Sequence, residues 1–201
     1  MPTLGFLTVV SHPQSGLFGG LLVLNLAGRP LEFHLTAPVK ANRAQEILYG
    51  PTLKPYLYGE QIGGALLAKL KTPALAICTD CADAMSVRDV ADVPVVWIPA
   101  EEDEAAAETV SAAASGSASA GGETNSVMHR FDTVHDPFAA ANERHWVHFN
   151  LSGRAASVHQ RHAEDQRQVE SLWRDANIEI DLWEPFARIR EAIDEAQAVA
   201  R

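Results

Sequence analysis

Cys78-Thr79-Asp80-Cys81 brings together the only two cysteines of the chain. The C-x-x-C spacing falls where an apolar strand is expected to pass into a helix. There the helix dipole favours a thiolate, the species needed for disulfide exchange. Histidines form a second candidate group, six of the eight lying between residues 129 and 162. His159 and His162 are three apart on an expected helix, a spacing that lets two imidazoles share a metal ion. His145 and His148 sit on an expected strand, where an offset of three puts them on opposite faces. A third group is His34, Thr36 and Lys40, which leave the third expected strand beside a helix N-terminus, a setting that holds anions. The fourth is Tyr49, Lys54, Tyr58 and Gln61, expected on the exposed side of a helical stretch. Tyrosine offers contact area there at low entropic cost.

Each group also has a plainer account. The Cys78/Cys81 placement resembles that of thioredoxin-like proteins, which implies thiol-redox chemistry. The resemblance covers these four residues, without a preceding aromatic or an internal proline. Cysteine is also a common core residue. No third metal ligand is set by spacing, so no metal is expected at His159 and His162, and no cofactor anywhere. No phosphate loop, dinucleotide fingerprint, G-x-S-x-G or H-E-x-x-H pattern occurs.

Three apolar runs, GFLTVV, LFGGLLVLN and LEFHLT, open the chain with short turn-rich links, so an antiparallel three-strand meander is expected. Gly19-Gly20 in the second run predicts a bulge or a close backbone approach. Asn42 with Gln45 makes a capping box for a first helix, Arg43 and Glu46 can pair across its first turn, and Gly50-Pro51 ends it. A second helix, capped by Thr52, is expected to bury Tyr56, Gly59, Ile62, Gly63, Leu66, Leu67 and Leu70. An interior helical glycine costs roughly 1 kcal/mol relative to alanine, so Gly59 and Gly63 imply close packing. PALAICTD and VPVVWIP read as buried strands, with a short helix between them capped by Asp80. Residues 158–176 and a segment capped by Asp181 read as the last helices. The fold class is therefore α+β: a meander, then helices and two further buried strands in the order β-β-β-α-α-β-α-β, with C-terminal helices packed on the sheet.

Charge divides the chain. Residues 1–100 carry seven basic and seven acidic side chains. Residues 101–125 carry six acids and no base, within an Ala/Ser/Gly-rich run expected to be a disordered linker or loop insertion. Residues 126–201 carry nine arginines and thirteen acids, and are expected to be mainly helical and docked on 1–100 as one interrupted domain. A net charge of −10 without a basic stripe argues against nucleic acid and anionic membranes. No membrane span or signal peptide is read, so a cytoplasmic location is expected. These features point to a non-catalytic binding domain for a protein partner or for itself. The alternatives are a small-molecule sensor or enzyme using the His34–Lys40 region, and a thiol-redox protein.

Overall fold

A computed structural model describes residues 2–100 and 146–199. The expected linker over 101–125 lies outside the described residues, as does His145. The chain opens with the meander: β1 (Thr3–His12), β2 (Gly16–Asn25) and β3 (Pro30–Leu35), each antiparallel to the one before. The helical stretch follows as α1 (Arg43–Tyr49), a 3₁₀ turn, a single turn α2 (Leu53–Pro55), a π-helical segment Tyr56–Gly63 and α3 (Gly64–Leu67). Then come β4 (Ile77–Thr79), a 3₁₀ segment Ala82–Asp89 and β5 (Val95–Trp97). The second described part supplies β6 (Trp146–Leu151), β7 (Arg154–His159), α4 (Glu164–Ala176) and α5 (Glu184–Val199).

The seven strands form one mixed sheet in the order β3-β2-β1-β4-β5-β7-β6. β1, β4 and β5 run parallel. The α+β class holds, with the C-terminal helices on the sheet, but the element order differs from expectation in three places. The segment between β4 and β5 is a 3₁₀ helix, and Asp80 does not cap it, because its carboxylate is held by Arg190 of α5. Val158 and His159 belong to β7, so the helix expected over 158–176 begins only at Glu164. The part expected to be mainly helical also contributes a hairpin, turned by Ser152 and Gly153, both at positive φ. That is the two-residue turn whose twist matches antiparallel strands, and Ser-Gly in NLSGR is its sequence signal.

β1 and the inner half of β2 are buried on both faces, which explains their nearly continuous Leu/Val/Phe composition. On the first face, Leu4, Phe6, Leu22 and Val96 pack with Val169 and Trp173 of α4 and Phe186, Ile189 and Ile193 of α5. On the second, Leu7, Leu21, Ile77 and Val95 pack with Ile62, Leu66, Met85 and Val87. A fully buried Leu, Ile or Phe of this kind contributes about 1.5–3 kcal/mol. Gly19 and Gly20 let both layers approach β2: a Cβ would stand 2.1 Å from Ile62 at one and 2.2 Å from Ile189 at the other. The strand is not bulged there; the register shift lies at Val23/Leu24.

The π segment changes which side chains of the helical stretch are buried. Gly64 N–H bonds to the Gly59 carbonyl five residues back, so the turn is wider than an α-turn and residue i lies between i+4 and i+5 rather than between i+3 and i+4. Leu57 shares the buried side with Ile62 and is 5% exposed, although the α-helical wheel leaves it off the buried stripe. Tyr58 is half-buried against the second core, which corrects its expected exposure. Tyr56 moves the other way, to the side of the segment. Gly59 and Gly63 face the 3₁₀ segment, where a Cβ would lie 1.9 Å from Ser86 Oγ and 2.8 Å from Val87 Cγ2 respectively.

Candidate functional site

On the second face the helical stretch and the 3₁₀ segment come up to the β6–β7 hairpin, whose Trp146 packs against their core. A cleft of about 450 Å³ opens there. One wall comes from the end of α1 and the turn after it. The capping box starts α1 as expected, with Asn42 Oδ1 accepting from Gln45 N at 2.9 Å and Gln45 Oε1 from Asn42 N at 3.0 Å. Arg43 pairs with Glu46 at 2.9 Å. Gly50 N–H closes the helix on the Glu46 carbonyl, and Pro51 follows in a 3₁₀ turn. Thr52 does not cap the next helix, because its hydroxyl donates to the Tyr49 carbonyl at 2.8 Å. This path brings Tyr49 onto Tyr56 in a stacked pair, centroids 4.3 Å apart and planes at 26°. Their mutual hydrogen bond raises the Tyr49 hydroxyl above the ordinary phenol value.

The floor is the 3₁₀ segment, which presents Asp83, Ser86 and Asp89. Ser86 Oγ donates to the Pro55 carbonyl at 2.6 Å and ties floor to wall. The far wall is the second-face side of β6–β7 and its continuation: Trp146, His159, Arg161 and His162. Trp146 is paired across the strands with His159, edge to face at 5.6 Å, and lies 5.3 Å from the Trp97 ring. His162 Nε2 stands 3.3 Å from Asp89. Burial pushes the half-buried Asp83 carboxyl above the ordinary carboxylate value, against the pull of Lys54. Among the described residues no cation pairs with Asp83 or with Glu60 at the rim.

A second, smaller cavity of about 290 Å³ lies on the opposite face, between the start of β2, Thr36 and the end of α5. Of the residues expected at an anion site only Thr36 lines it, and Thr36 Oγ1 already accepts from Gly19 N at 2.9 Å. His34 Nε2 meets Glu32 at 2.6 Å on the other side of β3. Glu32 also accepts from the Lys71 and Thr72 amides, and with His34 these hold its carboxyl down at about 2. Lys40 Nζ donates to the Gln14 carbonyl at 2.6 Å. The three side chains thus serve three separate structural bonds.

The two thiols are also apart. Cys78 faces the first core and Cys81 packs against the second. Burial pushes each up to about 12, so the thiolate that disulfide exchange requires is disfavoured. His159 Nδ1 accepts from Arg161 N at 3.1 Å, whereas His162 meets Asp89 and Glu164. Among the described residues no three His, Cys, Asp or Glu side chains are gathered to hold a metal, and no helix is long and apolar enough to cross a membrane.

Of the four helical-stretch residues, Tyr49 lines the cleft, Lys54 acts on it only through its charge, and Gln61 is exposed outside it. Tyr58 lies behind the floor, near Cys81 and Asp83. Tyr56, Asp83, Trp146 and Arg161 escaped the sequence reading. The π turn hides Tyr56, and in the sequence the hairpin that places Trp146 and Arg161 has the pattern of a strand followed by a helix. No known protein family, curated protein or solved structure matches this chain.

Proposed function

We propose that the protein is a non-catalytic binding domain that docks a protein partner on α1 and the adjoining cleft. The observation that carries this reading is α1 itself. It buries none of its residues, yet displays Ile47 at 67% and Leu48 at 81% exposure, directly before Tyr49 in the cleft wall. A seven-residue helix is marginal alone, and adjacent exposed aliphatics cost solvation unless a partner covers them. Beside them lies a concave aromatic pocket, the usual companion of a binding hot spot. Affinity capture with wild type, Leu48→Asp and Val90→Asp tests it, followed by titration of the purified captured protein. Val90 is an exposed aliphatic outside both α1 and the cleft lining, at 56%. A partner whose affinity falls at least about tenfold with Leu48→Asp and is unchanged with Val90→Asp supports the docking surface. Equal binding by all three proteins overturns it. A second reading, a small-molecule sensor, is favoured by the cleft volume, which lies in the range of ligand sites.

A further inference from the structure

We propose that the cleft is a receptor for a cationic side chain, so that the docked partner is a protein presenting a lysine or arginine from a basic segment. The inference rests on the docking surface just described and names its chemistry. Two features set the ligand class. The walls are aromatic on both sides, the Tyr49–Tyr56 stack facing Trp146 and its edge-on His159. Ring faces carry negative quadrupole density, which attracts an ammonium or guanidinium most strongly when water is partly excluded. The charges between these walls are predominantly acidic. Glu60, Asp83 and Asp89 line the cleft against Arg161, and Asp89 is already engaged by His162.

Asp83 is the decisive group. It is half-buried and has no ion pair among the described residues, and the more distant charge of Lys54 offsets its desolvation only in part. A cation seated between the rings would meet this carboxylate where the dielectric is lowered and the attraction strongest. An anionic ligand would face Glu60 and Asp83, with Arg161 among the described lining residues and the more distant Lys54 as the cations that could meet it. A second copy of the chain, itself at −10, would approach against its own charge. A basic partner is drawn in by the same field.

The test uses hexalysine and hexaarginine peptides as probes, hexaglutamate as the control, and calorimetric titration of the full chain. The expected result is saturable one-to-one binding of a basic peptide and none of hexaglutamate. Asp83→Asn and Tyr56→Ala should each weaken binding about tenfold, with thermal unfolding recording that Asp83→Asn is folded. Asp194→Asn and Glu195→Gln, exposed on α5 on the opposite face, remove equal charge and should leave affinity within about twofold. Equal weakening by the α5 variants would mean diffuse attraction to an acidic surface and overturn the proposal. So would the absence of basic-peptide binding, or an unaffected Asp83→Asn. Leu48→Asp separates this proposal from the one beneath it. Peptide binding that survives Leu48→Asp, with capture unaffected by that variant, leaves the cation site standing and removes the docking helix. Capture lost with Leu48→Asp, and no peptide binding at all, does the reverse.

Discussion

Leu48-Tyr49-Gly50 and Leu57-Tyr58-Gly59 are the same three residues nine positions apart, and the fold treats them oppositely. Leu48 is 81% exposed and Leu57 5%. Tyr49 stacks at the cleft wall, while Tyr58 is turned toward the second core. Gly50 stands in open space at φ +50°, closing a helix, and Gly59 lies against the backbone of the 3₁₀ segment. The difference is one of neighbours. The second copy lies on the 3₁₀ segment and on the sheet through Ile62 and Gly63; α1 buries none of its residues and, among the described residues, rests chiefly on its own continuation and Tyr56. A leucine or glycine therefore carries no fixed role in its letters. Its role is decided by whether another layer comes within contact distance.

The leucines give the widest contrast. Leu57→Ala should cost about 2–5 kcal/mol through a lost core contact and a cavity, and Leu48→Ala no more than about 0.5 kcal/mol. Urea unfolding of the two variants side by side measures this, and equal losses would erase the distinction. The glycines come next. Gly59→Ala must push against the Val87 amide at 2.6 Å and should cost about 1–3 kcal/mol. Gly50→Ala meets no atom within 4 Å, so its cost is backbone strain alone, at φ +50° and ψ −123°, about 1–3 kcal/mol. The readout that separates these mechanisms is the serine pair: Gly59→Ser should be worse than Gly59→Ala, whereas Gly50→Ser and Gly50→Ala, both in open space, should cost alike. The tyrosines follow. Tyr58→Ala should lower the melting temperature by a few degrees, and Tyr49→Ala should leave it within error while weakening ligand binding. A Tyr58→Ala protein as stable as wild type would return that ring to the surface.

The smallest effect lies outside both copies. Glu32 is held down at about 2 by His34 and two backbone amides, below its ordinary 4.5. A depressed carboxylate adds stability above the unfolded-state value and loses it as pH falls through the folded one. The stability gap between wild type and Glu32→Gln should therefore be full above about 4.5 and close as pH falls toward about 2. Chemical unfolding at a series of pH values reads the gap; a gap that persists at the lowest pH would assign it to packing instead.

Much of the scaffold was legible because its signals are local. The capping box at Asn42, the Asp181 cap that accepts from Trp183 N at 2.8 Å, the turn-linked meander and the two Val/Ile-rich strands each follow from residues within a few positions of one another. The packing role of Gly59 and Gly63 was legible for a related reason: an interior helical glycine is costly without a close neighbour. The cleft was not legible. Its walls come from residues 49–60, 82–89 and 146–162, and no periodicity in one segment encodes the position of another.

By itself, the sequence determined the α+β class, the meander, the caps that start α1 and α5, and the acidic balance of the chain. These depend on backbone hydrogen bonding, side-chain period and summed charge, which need no knowledge of distant neighbours. Only the tertiary structure decided that i→i+5 bonding carries Leu57 into the core and Tyr56 out of it. The same holds for Asp165, which lies fully buried against Arg88, with Nε–Oδ2 at 2.7 Å, while also accepting from the Val95 amide. A first-turn aspartate on an amphipathic helix reads as a solvated charge. It is drawn inside only because an arginine seventy-seven residues away, on another element, arrives there to meet it.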